Sequence, residues 1–154
     1  MQDDLRDLYQ EVILDHGRRP RNLRAIADAS ASAQGHNPLC GDQIKVYLKL
    51  GPDERVEDAA FEGKGCAISV ASASLMTEMV RGRRPDEIER LFGGLHYRCT
   101  GQGTAPSIAG LEEEMEKLEV LSGVREFPVR VKCATLAWHT LQAALAGRAK
   151  ATTE

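Results

Sequence analysis

Gln43-Ile44-Lys45-Val46-Tyr47-Leu48-Lys49-Leu50 alternates polar and apolar residues without a break. The apolar members therefore share one face of a half-buried strand. Gly51-Pro52-Asp53-Glu54 follows as a turn, and residues 55–62 return as a second strand ending at Phe61. Upstream, residues 24–37 are rich in Ala and Ser and leave room for one short strand before Asn37-Pro38. These segments form an antiparallel meander.

Beyond Gly63-Lys64-Gly65 the period becomes helical. Cys66 to Val80 sets Ile68, Ala71, Leu75 and Met79 on one face, with enough Ala and Ser beside them for close packing on the sheet. Pro85 suits the first turn of a short helix over 85–92, with Ile88, Leu91 and Phe92 inward. Residues 93–106, with four glycines, read as a loop. Helical spacing returns over 107–121 through Leu111, Met115 and Leu118, and a closing helix runs from about Cys133 to Leu145. Near the N-terminus, Leu5, Leu8, Tyr9, Val12 and Ile13 mark an amphipathic helix over about 3–16. Strands first and helices afterwards predict an α+β domain, a small antiparallel sheet of three strands with about five helices. One domain covers 1–147, and 148–154 is expected to be a disordered tail.

Hydrophobic content of 42%, charged content of 28% and a net charge of −3 fit a globular chain and give no reason to expect nucleic-acid binding. No apolar run approaches the roughly 20 residues that span a bilayer. A basic region followed by an apolar block is missing from the N-terminus, so the cytoplasm is the expected compartment. There, four cysteines point to metal binding or thiol chemistry instead of disulfides, and no two of them form C-x-x-C.

Three of the four occupy special places. Cys40-Gly41-Asp42 precedes the clear strand, and Gly41 permits a turn that aims thiol and carboxylate at one point. Cys66 opens a helix, whose N-terminus favours a thiolate. Cys133 follows Arg130 and Lys132, whose charges favour the same ionisation. Three thiolates and one carboxylate suit tetrahedral zinc, or iron in a cluster. The spacings carry no metal signature by themselves, and on residue chemistry alone these cysteines could equally be small buried hydrophobes. Asp42 could equally be a turn residue.

The strings Asn37-Pro38-Leu39-Cys40-Gly41-Asp42, Gly63-Lys64-Gly65-Cys66-Ala67-Ile68-Ser69 and Arg130-Val131-Lys132-Cys133-Ala134-Thr135-Leu136-Ala137-Trp138 resemble the NifU-N/IscU/SufU family of iron–sulfur cluster assembly proteins. The resemblance runs in order over nearly the whole chain. It implies the IscU-like (SufE/NifU-like) fold and assigns Cys40, Asp42, Cys66 and Cys133 to one metal or cluster site. Lys132, where IscU-type members carry His, and a long segment over 93–128 place the chain nearer the SufU branch. That branch implies Zn2+ in the resting site and sulfur accepted as persulfide from a pyridoxal-phosphate-dependent cysteine desulfurase. Cys40 is then the preferred acceptor and Cys133, supported by Lys132, the alternative. The IscU branch implies a transient [2Fe-2S] or [4Fe-4S] cluster on the same residues. Downstream partners would be cluster acceptors or SUF scaffold proteins, with the chain a monomer or weak homo-oligomer. The competing function is a non-catalytic adaptor with a purely structural zinc.

Other residues weigh less. His96 and Cys99 form an H-x-x-C spacing within the expected loop, where Cys99 reads as an exposed thiol. His36 could approach the site from four residues before Cys40, whereas His139 turns away from Cys133. His16 reads as a cation at a helix C-terminus, Glu112 to Glu119 as a solvated face, and Trp138 as core.

Overall fold

The alternation over 43–50 becomes the central strand of the sheet. The computed structural model describes residues 2–102 and 105–152, with side chains from residue 8 onward. Strand β2 (Asp42–Leu50) pairs antiparallel with β1 (Ala31–Asn37) on one side and β3 (Val56–Lys64) on the other. Ile44, Val46 and Leu48 point inward and are fully buried. Gln43 and Lys45 face solvent, as the period requires. Helices cover the inner face only, so the outer face keeps its polar series.

Five α-helices follow the expected order. Helix α1 (Gln2–Arg18) precedes the sheet, α2 (Ala67–Met79) follows β3, and α3 (Pro85–Thr100), α4 (Glu112–Leu118) and α5 (Pro128–Leu145) complete the chain. A 3₁₀ segment over Glu119–Glu126 links the last two. Helices α2 and α5 lie against the inner face. They meet through Trp138, whose indole Nε1 donates to Ser72 Oγ at 3.2 Å while Ser72 donates to the Ala134 carbonyl at 2.5 Å. Trp138 is fully buried, in the core as expected.

Four expectations need correction. The sheet has a fourth strand: Lys150–Thr152 forms β4, parallel to β1, with Gln34 opposite Lys150 and Gln34 N–H donating to the Ala149 carbonyl at 2.8 Å. The residues expected to fray thus meet the open edge of β1, and Ala151 packs on the core. The expected tail residues 153 and 154 lie outside the described residues.

Second, the glycine-rich segment from 93 onward is not a loop but the second half of α3. Ile88, Leu91, Leu95 and Cys99 keep one apolar stripe through it, and Gly94 allows close contact, because a Cβ there would sit 2.5 Å from Met115 Sδ. The helix ends at Gly101, in the left-handed conformation at φ 69°. Third, Cys99 is fully buried, its thiol pushed up to about 12 by burial. It is a core side chain.

Fourth, His16 turns inward. Its Nδ1 lies 2.7 Å from Ser74 Oγ, which also accepts the Arg21 N–H at 2.8 Å. Burial, with the Arg21 charge, holds its pKa below the usual histidine value. The folded state therefore resists protonating His16, and its stability should be full above about pH 6.5 and fall as pH drops from there through the lowered folded pKa. With a chelator present to remove metal effects, the melting temperature should drop between pH 7.5 and pH 5, and His16→Asn should flatten that drop. An unchanged slope in His16→Asn would refute this assignment.

The acidic run is solvated only in part. Glu112, Glu113 and Glu116 are exposed, whereas Glu114 pairs with Arg83 at 2.5 Å and Glu119 with Arg98 at 2.8 Å. No helix among the described residues is long and apolar enough to cross a membrane.

Candidate metal centre

Strand parity decides which polar residues reach the inner end of the sheet. Asp42 continues the buried series of Ile44, Val46 and Leu48 and is 1% exposed. On β1 the inward series is Ala33, Gly35 and Asn37, and Asn37 pairs in register with Asp42. A carboxylate and a carboxamide therefore end the apolar face side by side. His36, one residue out of phase, points to the exposed face and does not enter the site.

Cys40 lies in the turn between these strands. The Asn37 carbonyl accepts the N–H groups of Cys40 at 3.3 Å and Gly41 at 2.8 Å, and Gly41 adopts φ 73°, a value that glycine meets without strain. The turn carries Cys40 outward, so its side chain is exposed. Cys66 is the N-cap residue of α2 and half-buried. Cys133 sits in the second turn of α5, because that helix begins at Pro128 and not at Cys133 itself, and it is 2% exposed.

These elements converge. The sulfurs of Cys40 and Cys133 are 3.4 Å apart, and they lie with a carboxylate oxygen of Asp42 within 4.8 Å of one another. Cys66 borders this set. Its N–H donates to Asp42 Oδ1 at 3.0 Å, and its Sγ lies 3.8 Å from Ser69 Oγ. Ser69 in turn donates to Asp42 Oδ2 at 2.5 Å and lies 3.3 Å from the Cys133 carbonyl. Both carboxylate oxygens of Asp42 are thus held by α2, which fixes their direction.

Burial pushes the Cys133 thiol well up, and the side chains of Cys40, Asp42 and Cys66 push the same way. The expectation that Arg130 and Lys132 favour its thiolate does not survive this geometry; enclosure among acidic partners outweighs two cations on the same helix. A cation inserted among these groups reverses the balance, since it takes the proton's place on each sulfur. The donor set of thiols and one fixed carboxylate fits a soft or borderline divalent ion. Lys132 is half-buried beside Cys133. His96 is exposed on α3, and His139 packs edge-on against Phe92 with ring centroids 4.9 Å apart.

Asn37 and Ser69 were not singled out by residue chemistry. Parity from the clear strand places Asp42 inward, and the pairing of β1 with β2 sets Asn37 beside it. Spacing would have placed Ser69 on the face of Cys66, three residues along the same helix.

The family model described as "NifU-like N terminal domain" matches residues 8–92. A zinc-dependent sulfurtransferase SufU of Bacillus subtilis is 40% identical over 146 residues, covering 93% of this chain and 92% of that protein. An iron–sulfur cluster assembly scaffold protein IscU of Streptococcus pyogenes is 38% identical over 147 residues, covering 96% and 88%. Among solved structures, a putative iron–sulfur cluster assembly scaffold protein for the SUF system from Fervidobacterium islandicum superposes with a TM-score of 0.75. It is 30% identical, with 88% of this chain and 94% of that one covered.

Proposed function

This chain belongs to the IscU/SufU group of the NifU-like N-terminal domain family, and we propose that it accepts persulfide sulfur from a cysteine desulfurase. One observation carries this reading: a reachable sulfur, Cys40, sits 3.4 Å from a buried one, Cys133, inside a set of metal donors. Cys40, Asp42, Cys66 and Cys133 would hold zinc. Bound there, zinc supplies positive charge that keeps the sulfurs deprotonated near neutral pH.

The chemistry of transfer falls to Cys40. Its thiolate attacks the terminal sulfur of a persulfide presented by the desulfurase; the new S–S bond forms as the partner's S–S bond breaks, and the partner's cysteine leaves as thiolate. Asp42, gripped by Ser69 and the Cys66 N–H, stays in place while this happens. Leu39 beside Cys40, and Phe127 and Val129 at the start of α5, are exposed apolar side chains on the two segments that frame the site. They offer a dry contact for a protein that must bring its own sulfur to Cys40. The partner is a pyridoxal-phosphate-dependent desulfurase in the cytoplasm, where the four unpaired thiols stay reduced.

Anaerobic incubation with a cysteine desulfurase and sulfur-labelled cysteine, followed by mass mapping, tests this. Labelled persulfide is expected on Cys40; its absence from Cys40, Cys66 and Cys133 alike overturns the proposal. The likeness to IscU proteins supports a second reading, in which the same four residues receive iron and sulfide as cargo. A stable visible chromophore after anaerobic reconstitution would favour it.

The donor set also depends on a residue with no side chain. A Cβ on Gly65 would lie 2.7 Å from Asp42 Oδ1, closer than the carboxylate tolerates. Gly65→Ala should therefore swing Asp42 out of line and weaken zinc binding by about tenfold or more, as loss of an orienting contact does. Competition against a chromophoric chelator reads the affinity, and circular dichroism of the chelator-treated protein checks that the variant is folded. Unchanged affinity would show that Gly65 does not set the position of Asp42.

A further inference from the structure

Two sulfurs 3.4 Å apart pose a selection problem, because either could become the acceptor. Asn37 addresses both at once. It is fully buried, yet its side chain is polar at both ends. Its Oδ1 accepts the Leu39 N–H at 3.2 Å, and its own carbonyl accepts the N–H groups of Cys40 and Gly41. These bonds build the turn that carries Cys40 outward. The remaining group, Nδ2, donates to Cys133 Sγ at 3.7 Å.

An amide N–H is a weak partner for a neutral thiol and a much stronger one for a thiolate. The Asn37 carboxamide reaches the sulfur only at the place that Cys133 now occupies, and at 2% exposure little water is nearby to replace the bond. Among the described residues, Cys133 is the one side-chain hydrogen-bond partner of Cys40 Sγ. No carboxamide among the described residues holds Cys40 in the same way.

We propose that Asn37 is a positioning residue that pins Cys133 as the stationary sulfur, leaving Cys40 as the one that moves to meet an incoming sulfur. The proposal rests on the sulfur-acceptor reading and adds the device that chooses between the two thiols. The carboxamide is required for it: an aspartate at this position would set a carboxylate against the thiolate, and a serine would be too short to reach it.

Asn37→Ser separates the two jobs of the residue. A serine hydroxyl can still accept the Leu39 N–H and keep the turn, but it cannot bond to Cys133. Zinc-loaded wild-type and N37S protein are alkylated with iodoacetamide, and each cysteine is followed by peptide mass mapping. No desulfurase is present, so the outcome is independent of whether sulfur is ever accepted. In wild type, Cys40 should react first and Cys133 far more slowly. In N37S, Cys133 should react about tenfold faster than in wild type, the scale of one charge-assisted hydrogen bond, while Cys40 is unchanged.

Cys99, fully buried in α3, serves as the internal monitor of folding. A Cys133 rate in N37S equal to wild type overturns the proposal. So does a Cys99 that reacts as fast as Cys133, since Asn37 would then be holding the fold and not one sulfur. If Cys133 becomes reactive as expected but labelled persulfide appears on no cysteine in the desulfurase assay, the sulfur-acceptor reading fails and the role of Asn37 stands.

Discussion

Cys40→Ser is expected to lower sulfur acceptance by about three orders of magnitude while leaving the melting temperature of the chelator-treated protein within roughly 2 °C of chelator-treated wild type, since a hydroxyl is no nucleophile near neutral pH and an exposed substitution perturbs little. Cys40 is exposed on a turn whose shape is set by backbone bonds to Asn37, and none of those bonds involves its sulfur. Serine retains the size and loses the attacking atom. Labelled sulfur incorporated per desulfurase turnover measures the loss. The same substitution separates transfer from the adaptor alternative. A purely structural zinc predicts lost zinc or lost fold, with no separate effect on sulfur acceptance. If C40S retains wild-type acceptance and labelled sulfur shifts to Cys133, the role of acceptor passes to Cys133.

The strands and the site's outline were legible because period 2 is a strong signal in Ile44 to Leu50. That alternation also holds the position of Asp42, since a strand that buries Ile44 buries Asp42 as well, whereas Asn37 is placed by the pairing of β1 with β2. What was not legible depends on tertiary partners. Gly93-Gly94 looks like a break to any local propensity, and only the nearness of Met115 makes a glycine useful inside a helix there. Lys150–Thr152 carries no strand pattern of its own and is recruited by the free edge of β1. The Cys133 thiol departs from the expectation for a related reason. Neighbouring cations are visible in the sequence, whereas enclosure by Cys40, Asp42 and Cys66 exists only after folding. The motif strings located Cys40, Asp42, Cys66 and Cys133, and the fold explains how distant segments bring Cys40, Asp42 and Cys133 together with Cys66 at their border.

Trp138→Ala should have the largest effect on stability. The ring is fully buried, lies 6.1 Å centroid to centroid from Phe92, and joins α5 to α2 through the bond to Ser72. Truncating a buried tryptophan costs about 3–5 kcal/mol, because transfer energy is lost and the cavity relaxes only in part. A domain of this size has only about 5–15 kcal/mol in total, so much of its stability would go. At roughly 2–4 °C per kcal/mol for chains of this length, the melting temperature should fall by about 10 °C or more. Circular dichroism is the suitable probe, since Trp138 is the single tryptophan. The loss should reach the metal centre as well. Cys66 caps α2 and Cys133 rides on α5, so loosening the contact between these helices loosens the relative placement of two donors. Under the proposed zinc site, added zinc would favour only the ordered arrangement and should restore part of the melting temperature, more so as its concentration rises. Trp138→Phe keeps most of the volume and loses the Ser72 bond, and it should lie between wild type and W138A. A W138A protein that melts near wild type and holds zinc equally well would show that α2 and α5 are fixed by other contacts.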